Sequence, residues 1–209
     1  MMRLLLSALV LLPMLARGEG PVVLVLGDSL SAGYGLPQDR GWVALLAQRV
    51  RAKGYPHRVV NASVSGDTTA GGLTRLPPLL ERNRPAVLVI ELGANDGLRG
   101  LSFEEIEGNL IRLADLGRRA GSRLLLIGVR LPPNYGAAYT AGFQAVFRKV
   151  ARRGRVPFVP HLLGGVAEHL DLMQADGLHP NAEAQPRLLD NVWPKLEPLL
   201  RETTPSSKR

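Results

Sequence analysis

Five short apolar runs separated by amphipathic segments set the tightest limit on how this chain folds. Val22–Leu26 is an unbroken stretch of valine and leucine, and Val59–Asn61, Ala86–Leu92, Leu124–Val129 and Val156–Val159 repeat its character. Runs without period-two alternation mark strands covered on both faces, the signature of a parallel sheet between helical layers. The intervening segments carry helical spacing. Trp42–Lys53 places Val43, Leu46, Ala47 and Val50 on one side and meets a C-terminal glycine at Gly54. Ser102-Phe103-Glu104-Glu105 is a capping box for a helix through Leu116, with Ile106, Leu110 and Leu113 facing inward. Tyr139–Val150 and Leu188–Leu200 complete the set, the last interrupted at Pro194. The order predicts an α/β fold: a three-layer α/β/α sandwich around a five-stranded parallel sheet, with right-handed crossovers. The 209 residues need only one domain.

The N-terminus has the layout of a secretory signal peptide. Met1-Met2-Arg3 precedes the apolar stretch from Leu4 to Leu15, and Ala16-Arg17-Gly18 supplies small residues for cleavage. The apolar stretch is too short to span a bilayer and contains Pro13. The expected division is a signal peptide over 1–18, one domain over 19–202 and a polar tail over 203–209, with a periplasmic or secreted destination. The chain has no cysteine, which excludes disulfides, thiolate nucleophiles and cysteine-bound metal. Its four histidines lack paired metal-ligand spacing, so no metal is expected. The net charge of +8 comes from scattered arginines, and with aromatic residues at 5% no nucleic-acid platform is expected.

Several loops at strand ends carry chemistry. In a doubly wound sheet the carboxyl ends of the strands share one edge, so loops at 27–31, 62–72, 93–97 and 130–136 can converge there. Ser29, in Gly27-Asp28-Ser29-Leu30, follows the first strand and offers a hydroxyl that needs a base and oxyanion donors to react. Asp176 and His179 lie three apart, close enough for the carboxylate to orient the ring while its far nitrogen deprotonates Ser29. Asn95 can donate its side-chain amide, and Gly66 can offer an unobstructed backbone N–H. Each segment read alone is also an ordinary turn or cap. Their coincidence favours a serine hydrolase. Gly66 and Gly71 have the glycine spacing of a P-loop, but Gly72-Leu73 stands where Lys-Ser/Thr is required.

Gly27-Asp28-Ser29-Leu30, Gly66, Gly93-Ala94-Asn95-Asp96 and Asp176-Gly177-Leu178-His179, in this order, resemble the four sequence blocks of the SGNH, or GDSL-type, hydrolases. The longer strings Gly-Asp-Ser-Leu-Ser-Ala-Gly-Tyr-Gly and Leu-Pro-Pro-Asn-Tyr-Gly are similar to the bacterial periplasmic branch combining acyl-thioesterase, arylesterase and lysophospholipase activities. The resemblance implies a flavodoxin-like sheet and no cofactor. It implies Ser29 as nucleophile, His179 as base and Asp176 as its orienter, with an oxyanion hole from the Ser29 and Gly66 N–H groups and the Asn95 amide. It also implies that the loop Leu131, Pro132, Pro133, Asn134 and Tyr135 lines the acyl site.

The apolar members of that loop favour an acyl chain over a sugar. The expected partners are a small-molecule acyl ester or lipid and, transiently, a membrane surface. No obligate subunit is expected, so the chain should act as a monomer. A carbohydrate O-acetyl esterase would share the whole catalytic set and differ in its pocket. A lipid-binding module without turnover would leave the catalytic residues unexplained.

Overall fold

The computed structural model describes residues 20–204; the expected signal peptide and the end of the polar tail lie outside them. Five strands, β1 (Val22–Gly27), β2 (Arg58–Asn61), β3 (Val87–Glu91), β4 (Arg123–Ile127) and β5 (Phe158–Val159), form one sheet in the order β2-β1-β3-β4-β5. All its pairings are parallel. This is the flavodoxin-like order, whose switch point between β1 and β3 is where such sheets open a crevice.

Successive residues of β1 point to opposite layers, which explains its lack of alternation. Val23 and Val25 pack with Trp42, Leu46 and Leu196, from α2 (Trp42–Ala52) and α7 (Gln185–Thr203). Leu24 and Leu26 pack on the other side with Leu76, Leu110 and Phe147. Those three come from α3 (Thr69–Asn83), α5 (Phe103–Arg119) and α6 (Ala137–Gly154). Two four- and five-residue helices, α1 (Ser29–Ala32) and α4 (Ala94–Leu98), begin almost where β1 and β3 end.

Two expectations are corrected. The helix α3 is not among the helices expected above. It forms because Gly72, Leu76 and Leu80 are buried along one side while both prolines face solvent. Pro194 does not interrupt α7 either. Pro194 and Pro198 are exposed, four apart, so the carbonyls they leave unpaired can be hydrated. The last helix also reaches Thr203, whose hydroxyl donates to the Leu199 carbonyl at 2.7 Å. Among the described residues no helix is long and apolar enough to cross a membrane.

Candidate active site

The turn after β1 is both a cap and a presentation device. The Asp28 carboxylate accepts the Leu30 N–H at 3.0 Å and starts α1, leaving Ser29 at its first position. Gly27 is needed for space, since a Cβ there would lie 2.7 Å from Ser31 Cβ and 2.8 Å from Glu91 Oε2.

His179 approaches from a loop 150 residues away, with Nε2 2.9 Å from Ser29 Oγ. Its Nδ1 is 2.6 Å from Asp176 Oδ2. The other Asp176 oxygen accepts the N–H groups of Leu178 at 2.9 Å and His179 at 3.0 Å. A carboxylate beside Nδ1 fixes the proton there and leaves Nε2 to accept from the serine hydroxyl. The His179 backbone N–H and then its ring hold the Asp176 carboxyl down at about 2. The loop itself is tied back to the body. Gln174 donates to the Tyr34 carbonyl at 2.8 Å and the Pro180 carbonyl at 3.1 Å, and its own N–H bonds the His179 carbonyl at 2.7 Å. Buried Gln185 accepts the Trp42 N–H at 2.9 Å, joining the starts of α7 and α2. The Tyr34 ring lies against His179 with centroids 4.5 Å apart.

Opposite His179, Asn95 begins the turn of α4 after Gly93, whose φ of 120° suits only glycine. The Asn95 amide donates to the Asp67 carbonyl at 2.9 Å and faces Asp28 Oδ2 at 3.3 Å. Gly66 has φ 80°, and its carbonyl accepts from Arg99 at 3.0 Å. The elements carrying these donors are locked to each other by the buried Asp96 carboxylate. It accepts the Thr69 N–H at 2.9 Å and the Thr69 hydroxyl, and Asn109 donates to that hydroxyl at 3.1 Å. Asp67 is gripped by Arg75, and Gly71 has no side chain because a Cβ would collide with Asp67 Oδ1.

Ser29, Gly66, Asn95 and His179 open onto one cleft of about 800 Å³. Its walls include Leu30, Leu98, Val129, Leu131, Pro132, Pro133 and Met173. Asn134 and Tyr135 are not among the cleft-lining residues, correcting that part of the expected lining. The 3-10 turn over Pro133–Tyr135 carries Tyr135 onto the Leu98 carbonyl at 3.0 Å and against Tyr139. Tyr34, Gln174, Gln185 and the Thr69–Asp96–Asn109 network were not singled out from sequence. Asp96, inside the Gly93–Asp96 block, and Tyr34, in the longer string that begins at Gly27, carried a local signal.

Comparison with known proteins identifies the family. The GDSL-like lipase/acylhydrolase family profile matches residues 25–186. The chain is 52% identical over 193 residues to Esterase TesA of Pseudomonas aeruginosa, covering 92% of this chain and 95% of that protein. It is 42% identical over 178 residues to thioesterase 1/protease 1/lysophospholipase L1 of Escherichia coli K12, covering 85% and 84%. The crystal structure of the psychrotrophic esterase EstA from Pseudoalteromonas sp., inhibited by monoethylphosphonate, superposes with a TM-score of 0.82. That match has 39% identity and covers 86% of this chain and 98% of EstA. The chain belongs to the GDSL-like lipase/acylhydrolase family.

Proposed function

We propose that this protein is a serine hydrolase of acyl esters and thioesters, including aryl esters and lysophospholipids, working through an acyl-enzyme on Ser29. The observation that carries this reading is the Asp176–His179–Ser29 relay, with contacts of 2.6 and 2.9 Å, at the wall of a largely apolar cleft. Ser29 Oγ attacks the acyl carbonyl as its proton passes to His179 Nε2, and Asp176 stabilises the resulting imidazolium. The negative charge moves to the carbonyl oxygen, held by the Ser29 and Gly66 N–H groups and the Asn95 amide. His179 then protonates the departing oxygen or sulfur as the acyl C–O or C–S bond breaks. Water, giving a proton to His179, attacks the acyl-enzyme; Ser29 recovers its proton and the carboxylic acid leaves.

Residues 1–18 act in this proposal as a signal peptide for export, 19–202 as the catalytic domain and 203–209 as a polar tail. The exported enzyme works as a monomer on lipid-derived esters and touches the lipid surface transiently. Support comes from Tyr34, Val64, Tyr135, Leu170 and Leu178, the large exposed apolar side chains among the described residues. All five lie in segments that follow carboxyl ends of strands, the edge on which the cleft opens.

The test is hydrolysis of a matched panel by the purified protein and Ser29→Ala: short and long p-nitrophenyl esters, a long-chain acyl thioester, a lysophospholipid and an acetylated sugar. Serine-dependent cleavage of the long acyl substrates is expected. Turnover confined to the acetylated sugar would keep the mechanism and replace the substrate class.

A further inference from the structure

Glu91, at the end of β3, is a carboxyl group the mechanism above does not use. It is 1% exposed and sits directly beneath the nucleophile turn, opposite Gly27 in the sheet register. One of its oxygens, Oε2, receives the Ser31 hydroxyl at 2.6 Å and faces the Asp28 N–H at 3.4 Å. The Asp28 carboxyl belongs to the same buried cluster, Asp28 being joined to Glu91 through its own backbone N–H. Asp28 is itself fully buried and reaches on to the Leu30 N–H and, at 3.3 Å, to the Asn95 amide. Two neighbouring carboxyl groups out of water cannot both ionise readily, so one of them is held neutral. Since Oε2 accepts both donors, a neutral Glu91 carries its proton on the other oxygen.

We propose that Glu91 is a positioning residue: as a neutral acid it donates to Asp28, and Asp28 thereby holds the Asn95 amide in register for the oxyanion. The inference rests on the serine-hydrolase reading for its readout. Burial, then the charge of Asp28, pushes the Glu91 carboxyl well above its usual range, consistent with this state. Burial likewise raises Asp28 to about 6; the Leu30 N–H and His179 pull it down, while Asp67 and Asp96 push it up. These are the ionisable groups facing the pair. Ionising Glu91 at high pH places a second negative charge beside Asp28, removes the donor and loosens the Asn95 amide.

Glutamine separates positioning from packing, because its carbonyl can accept from Ser31 and its amide can donate to Asp28. With a soluble short-chain ester, Glu91→Gln is expected to keep kcat within about threefold of the native rate. Glu91→Leu is expected to lower kcat about 100-fold with KM little changed, the scale of a lost oxyanion donor. In an Asn95→Ala background the same leucine should cost less than about threefold, since the group it acts through is gone. Native kcat is expected to fall on the alkaline side, a fall absent in Glu91→Gln. An equal loss from leucine with and without Asn95, or a glutamine variant as impaired as leucine, would overturn the proposal. If Glu91→Leu does not fold, the alkaline limb of native enzyme against Glu91→Gln decides alone: identical limbs sink it. Ser29→Ala is the separating control, because activity surviving it defeats the hydrolase reading itself.

Discussion

Asp28 and Asp176 are the same residue type in one site, and their surroundings push them in opposite directions. Asp28 is fully buried beneath the nucleophile, and burial raises it to about 6 even though Leu30 donates to it. Asp176 stands in an exposed loop, and donors from His179 and Leu178 hold it at about 2. The balance of N–H donors against lost water sets these opposite directions. The two halves of the site divide accordingly: a buried half that fixes geometry and an exposed half that, in the proposed reaction, moves protons.

The sharpest test of that division is Ser29→Ala, where the halves meet. It should lower kcat/KM by about 10 000-fold or more, with thermal stability preserved because no core cavity opens. A monoethylphosphonate reagent of the kind that inhibits EstA should add one phosphonyl group to the native protein and none to this variant, read by intact mass. On the exposed half, Asp176→Asn should cost about 1000- to 10 000-fold in kcat, since an amide can favour the wrong imidazole tautomer. A loss below tenfold would remove Asp176 from the relay. On the oxyanion side, Asn95→Ala should cost about 100- to 1000-fold in kcat. An unchanged rate would mean that its amide serves only Asp67 and Asp28.

The smallest expected effect is on stability, and its sign differs between the halves. Asp28 has a folded value above its unfolded 3.8, so its contribution is present below that pH and is lost as pH rises toward about 6. That change is about 3 kcal/mol. Asp176 has a folded value below 3.8, so its contribution is present above that pH and is lost as pH falls toward about 2. Urea midpoints followed from pH 3 to 8 should lose the slope between 4 and 6 in Asp28→Asn and keep it in Asp176→Asn. The same slope in both variants would show that the buried half is not the source.

Legibility followed the same division. The sheet could be read because strands covered on both faces favour unbroken apolar runs, such as residues 22–26 of β1 and 87–90 of β3. The chemical loops could be read because Ser29 and Asn95 sit in short glycine-containing blocks at strand ends, and Asp176 and His179 in another such block ahead of α7. The supporting layer could not. Glu91 meets Ser31 across 60 residues and Gln185 meets Trp42 across 143, so nothing near either residue announces its partner. Helix α3 is a separate case: it contains Pro77 and Pro78, which it tolerates because both face solvent.

The 150-residue separation between Ser29 and His179 gives synthesis a direction. Ser29 leaves the ribosome early, embedded in what becomes a central strand, while His179 follows the last, edge strand. Until that late loop docks on Tyr34 and Gln185 joins α7 to α2, Ser29 lacks its contact with His179. The geometry of the proposed relay is therefore complete only once the two ends of the chain have come together.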